Sequence, residues 1–115
     1  MSDLSAKGVV TIGEGDGKRD IVVSELTPAQ MRQVILANPW PGEEGSPEEY
    51  AGYQIDSHLF PDCRLTDLAI FTGLKVSDFD EIPPSQLRKI LAKAKELNPD
   101  FFGAMARMAE ARRKS

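Results

Sequence analysis

The sequence predicts a mainly helical α+β domain, with an N-terminal β-hairpin packed on a C-terminal helical bundle. Three observations lead there. Two short β-branched runs joined by a glycine-rich link open the chain. Proline-led capping signals punctuate the rest of it, and the most regular helical periodicity lies in the last third. With 115 residues, 41% hydrophobic and 28% charged, the balance is that of an ordinary folded domain. One domain over 1–115 is expected, because two independent cores would be unusual at this size. Its parts are a hairpin segment (1–25), a stretch of helix, Pro/Gly-rich loop and short helix (26–60), and a bundle (61–112).

Gly8–Ile12 and Arg19–Val23 have the β-branched content that suits a half-buried pleated surface. Gly13-Glu-Gly-Asp-Gly17 lies between them and reads as a turn. It is acidic, lacks a Gly-Lys-Ser/Thr ending and runs into a strand, so a phosphate-binding loop is rejected. An isolated hairpin is marginal in water, so this one is expected to rest on helices or pair with another chain.

Thr27-Pro-Ala-Gln30 opens the first helix, with Thr27 as cap and Gln30 completing a capping box. Met31, Val34 and Ile35 supply its apolar face, and the helix stops before Pro39. Asn38 to Pro47 reads as a loop; Trp40 within it is either a binding anchor or a ring folded back onto the core. Ser46-Pro-Glu-Glu49 starts a second helix toward Leu59.

A third helix is expected from Asp62 to Thr72, with Asp62 as cap, Leu65, Leu68, Ala69 and Thr72 on one face, and Gly73 ending it. Ser77 or Asp78 starts a further turn carrying Phe79 and Ile82. Pro83-Pro-Ser-Gln86 opens the strongest helix, where Leu87, Ile90, Leu91, Ala94 and Leu97 share a face. Asn98 caps a last helix that carries Phe101, Phe102, Met105 and Met108 and frays through Arg112-Arg-Lys-Ser115. No internal repeat is visible.

Composition narrows the chemistry. There is one His and one Cys, so an intramolecular disulfide is excluded and a reducing cytoplasm is the natural setting. His58, Asp62, Cys63 and Asp56 are the densest set of metal-ligand types, but their spacing matches no recognised zinc pattern. Nothing nearby is placed to orient a Cys63–His58 nucleophile pair. No enzyme, metal or cofactor is expected. No apolar run reaches the length of a membrane span, and Met1 to Val10 lacks the pattern of a secretory signal. Residues 1–62 carry a net charge of −7 and 63–115 one of +3, an asymmetry that could guide docking to a partner or another copy. The lysines of helix 86–97 have no interleaved aromatics and the whole chain has a net charge of −4, so nucleic acid is not expected as a partner.

The motifs in combination carry a resemblance. A β segment reaches Val22-Val-Ser-Glu-Leu-Thr-Pro28, and an acidic Pro/Gly stretch comes after it. Then come Leu65-Thr-Asp-Leu-Ala-Ile-Phe-Thr-Gly-Leu74, Val76-Ser-Asp-Phe-Asp-Glu-Ile-Pro-Pro-Ser85 and Leu97-Asn-Pro-Asp-Phe-Phe102. This resembles the small tail assembly chaperones of long-tailed bacteriophages, including the Mu-like group, most sharply from Leu65 to Met108. The chain departs from that pattern at Thr27, where a basic residue often precedes the proline. The resemblance implies a protein of the host cytoplasm that binds the tape-measure protein, keeps it soluble and hands it over as the tail tube protein polymerises. The alternative is a small regulatory protein that binds and inhibits a host protein, for example in superinfection exclusion.

The working surface is expected on the last two helices. Phe102, Met105 and Met108 would make adaptable apolar contacts, with Arg88, Lys89 and Lys93 as steering charges and Trp40 as a further candidate contact. The same Phe/Met stripe would also serve as plain core. Self-association is a further expectation, from the exposed edges of a short hairpin and the opposed charges of the two halves.

Overall fold

The computed structural model describes residues 4–37 and 40–114. Strands β1 (Lys7–Ile12) and β2 (Arg19–Ser24) are followed by helices α1 (Pro28–Leu36), α2 (Pro47–His58), α3 (Leu65–Thr72), α4 (Pro84–Leu97) and α5 (Pro99–Lys114). The strands pair antiparallel, with Val9 opposite Val22 and Val10 opposite Ile21. Their alternation sends Val10, Ile12, Ile21 and Val23 into the core, while Val9 and Val22 face outward. The fold is the expected hairpin on a helical region. The link is tight: Gly13 has φ 86°, and a Cβ there would come within 2.5 Å of the Gly17 carbonyl oxygen. Only glycine fits that position.

The hairpin lies on α3 and α4, and α4 grips it at two points. Near the turn, the Gln86 carboxamide oxygen accepts the Gly13 N–H at 3.0 Å. At the far end, Asn98 Oδ1 accepts the Leu26 N–H at 2.7 Å, while Nδ2 donates to the carbonyls of Ser24 (3.2 Å) and Ala94 (3.0 Å). The Asn98 side chain thus acts like a peptide group laid beside the end of β2. This corrects the expectation that it caps the last helix. Its backbone carbonyl does accept the Phe102 N–H, but the side chain turns the other way. Position 98 continues the stripe of Leu87, Leu91 and Ala94, so the amide points into the core, where it must be fully bonded.

Thr27 and Gln30 form the expected capping box on α1, as do Ser46 and Glu49 on α2. The Asn38-Pro39 stop signal lies outside the described residues, as does Ser115. α3 starts at Leu65, not Asp62. Phe60 and Cys63 form a small β-bridge with Pro61 and Asp62 in the turn between them, so the helix has not yet begun there, and Asp62 is exposed. The N-cap is Arg64, whose N–H is accepted by Asp67 at 3.0 Å. Gly73 then ends α3 in the left-handed region, φ 72°. The turn expected from Ser77 or Asp78 is a 3-10 turn spanning Val76–Phe79, with Asp78 accepting the Lys75 N–H.

Leu87, Ile90, Leu91 and Ala94 of α4 are all buried, and Phe71, Phe101 and Phe102 pack as a ring cluster with centroids 5.2–5.8 Å apart. Beyond this cluster α5 leaves the core. From Ala106 to Arg113 every residue is exposed.

Candidate functional site: a groove beside the last helix

The outer half of α5 runs alongside the body of the protein and leaves a groove of about 920 Å³ between them. One wall is the α5 stripe Phe102, Met105, Ala106, Met108, Ala109 and Arg112. The other is Ile35 at the end of α1, Ser57 of α2, and the Phe60–Arg64 segment leading into α3. The stripe recurs at i, i+3, i+4 and i+7, so one helix face meets the groove along its length. Phe102 and Met105 pack against the core at their inner edge, and Met108 is 39% exposed. Two thioethers and a ring on one side, with Ile35 and Phe60 on the other, give walls that can adjust to apolar side chains of varied shape.

Charges line the inner end in pairs. Lys95 bridges to Asp62 and its ammonium stands 5.9 Å from the Phe102 ring centroid. Arg64 pairs with the buried carboxylate of Asp67 at 2.9 Å. The same guanidinium donates to the Ala37 carbonyl at 3.1 Å and to the Val34 carbonyl. It therefore adds a charged donor to carbonyls at the end of α1, where Val34 also accepts the Ala37 N–H, and ties that helix to the start of α3. This places Ile35 on the groove.

Phe102, Met105 and Met108 are brought together as one wall. The expected steering charges lie elsewhere. Lys93 pairs with Glu96 at 2.6 Å and its stem lies against Gly8 of the hairpin. Arg88 and Lys89 are exposed on α4, outside the groove lining. Arg88 sits two turns before Lys95 on the same flank of that helix, about 10 Å along it. Trp40 is 56% exposed and its ring sits 5.2 Å from those of both Tyr50 and Tyr53 of α2. It packs on α2, neither in the core nor in the groove. The Tyr50 hydroxyl donates to the Gly42 carbonyl and holds the loop against α2.

Sequence reasoning did not assign Ile35, Phe60, Arg64, Lys95, Ala106 or Ala109 to a site. For Ala106 and Ala109 a signal existed: they continue the Phe102–Met105 face at helical spacing. The Arg64–Asp67 pair spans one helix turn, but its tie to α1 arises only in three dimensions.

Cys63 lines the groove floor as a buried thiol. Burial, reinforced by the nearby carboxylates of Asp67 and Asp62, pushes its pKa far up and keeps it protonated. His58 is exposed and its Nδ1 lies 2.9 Å from the Gln54 carbonyl oxygen. Among the described residues, no group of three or more His, Cys, Asp or Glu could hold a metal ion. No helix among them is long and apolar enough to cross a membrane. No protein-family model, curated protein or solved structure matches the chain.

Proposed function

We propose that the chain is a tail assembly chaperone of a long-tailed bacteriophage. It lays apolar faces of tape-measure helices into the groove beside α5, keeps that protein soluble in the host cytoplasm, and releases it as tail tube protein assembles. The observation that supports this best is the wall of Phe102, Met105 and Met108, at helical spacing and facing an open apolar trough. An amphipathic helix presents apolar anchors at i, i+3, i+4 and i+7, the repeat that Phe102, Met105, Ala106 and Ala109 show along that wall, so helix-in-groove docking is the matching mode. Methionine tolerates many anchor shapes, which a protein serving successive segments of one long client requires. The sequence motifs from Leu65 to Met108 point the same way.

The test is co-expression of a tape-measure protein with this chain and with its Met105→Glu and Met108→Glu variants. The expected result is a soluble client that co-purifies with the wild-type chain, and aggregated client with either variant. A client equally soluble with wild type and variants, or equally aggregated with and without the chain, defeats the proposal. Capture of a host protein instead, lost in the same variants, would support the inhibitor alternative.

A further inference from the structure

We propose that Trp40, Tyr50 and Tyr53, with the Gly42–Gly45 turn beside them, form a second binding site, and that its partner is a protein segment carrying exposed arginines. None of these residues lines the α5 groove, so the inference does not depend on what that groove binds. Three features carry it.

The first is where the aromatic residues go. The chain's one Trp and two Tyr gather in a single cluster, each tyrosine centroid 5.2 Å from that of Trp40. The phenylalanines go elsewhere: Phe60, Phe71, Phe79 and Phe101 are all buried. Trp40 stays 56% exposed and both tyrosines are half-buried. Tyr53 meets the indole edge-to-face at 83° and Tyr50 meets it at 48°. The ring is thus braced from two sides and still open to solvent. Braced Trp and Tyr side chains cost little further ordering on contact and dominate binding hot spots, where arginine is their commonest companion.

The second is the turn that rims this cluster. The Gly42 carbonyl accepts both the Gly45 N–H and the Tyr50 hydroxyl. A Cβ on Gly45 would come within 3.2 Å of Tyr50 Cζ. The turn is therefore pinned to the phenol end of Tyr50. Its two central residues are Glu43 and Glu44, both exposed, so their backbone stands at the edge of the ring cluster. Glu48 is exposed on the first turn of α2, the helix that carries both tyrosines.

The third is that these charges are uncommitted. Residues 40–54 include four glutamates and no lysine or arginine. Glu49 is spent on the Ser46 N–H. Among the described residues, no cation pairs with Glu43, Glu44 or Glu48. An aromatic face rimmed by unpaired carboxylates selects a cation. A guanidinium fits it better than an ammonium: it stacks flat on an indole, sheds water more readily, and forks onto carboxylates.

Trp40 is the sole tryptophan, so its fluorescence reports on the site directly. Titrating the full chain at low salt with a short peptide of alternating arginine and glycine should shift the emission saturably, with Kd of order 100 µM. The same peptide with lysine for arginine should bind about threefold more weakly, and with glutamate not at all. Glu43→Gln combined with Glu44→Gln should weaken binding about tenfold while circular dichroism stays unchanged. Trp40→Ala, followed by calorimetry, should weaken it about fivefold. Glu14→Gln combined with Asp16→Asn, in the acidic hairpin turn, should leave it unchanged. Emission that does not move, equal binding of the arginine and lysine peptides, or equal weakening by the hairpin-turn pair would each overturn the proposal. None of these variants touches the α5 groove, so this inference and the chaperone proposal fail separately.

Discussion

Helices α4 and α5 are consecutive and of similar length, 14 and 16 residues, and both show an apolar stripe in sequence. Their surroundings differ. The α4 stripe is covered along its length by the hairpin and α3, and Gln86 and Asn98 fasten its two ends to the strands. The α5 stripe is covered only over its first turns, by Phe71 and the rest of the core. The same pattern of residues thus builds a core in one helix and leaves a face open in the next. What separates them is the supply of neighbours, which periodicity does not encode.

The sharpest way to break the comparison is to truncate the centre of each stripe. Ile90→Ala, in α4, should cost about 2–5 kcal/mol, read by urea denaturation. A loss below about 1 kcal/mol would mean that α4 is less well covered than its burial implies. Asn98→Ala comes next. It strands the Leu26 N–H and the Ser24 carbonyl inside the protein, at about 1–3 kcal/mol, and hydrogen exchange should show the end of β2 loosened. Unchanged exchange there would remove Asn98's role as a fastener.

In α5 the same truncation should act on binding. Met105→Ala, at the inner edge and only half-buried, should cost about 1–2 kcal/mol, below the range of about 2–5 kcal/mol for a fully buried methionine. Met108→Ala should change stability by less than about 0.5 kcal/mol while weakening retention of the client in a pull-down. A large stability loss at Met108 would make the whole stripe structural and move the partner site elsewhere.

The smallest effect expected is electrostatic. Burial, and then the nearby Asp80 carboxylate, raise the Asp56 pKa from its ordinary value. A raised acid favours folding while protonated and loses that contribution as pH rises through its folded-state pKa. Asp56→Asn should therefore stabilise the protein at pH 7, by less than about 0.5 kcal/mol since the group is partly exposed. The gain should vanish near pH 3 in thermal melts. A gain that is the same at both pH values would assign it to something other than ionisation.

The same contrast explains what could be read from the sequence. The hairpin, the Thr27 and Ser46 capping boxes and the Gly73 stop were legible because each is written within a few residues. Asn98 was not. Its nearest strand partners lie 72 and 74 residues away, and as a local signal Asn before Pro looks like a helix cap. A better clue was its place on the α4 stripe, where a polar residue must find buried partners. The groove was half legible: Phe102, Met105 and Met108 were visible as a helix face. The opposite wall depends on Arg64 reaching the end of α1, and no local pattern announces that contact.

The fastening of the hairpin by Gln86 and Asn98 also orders events during synthesis. The strands leave the ribosome first, yet a lone hairpin is marginal in water. Both carboxamides that hold it, and the α4 surface beneath it, are translated more than sixty residues later. The N-terminal strands must therefore wait, unsettled, until α4 has emerged, and the hairpin and α4 should gain exchange protection in one step. By then α5 is the next segment to appear, and its Phe101 and Phe102 complete against Phe71 the core that the hairpin and α4 have begun.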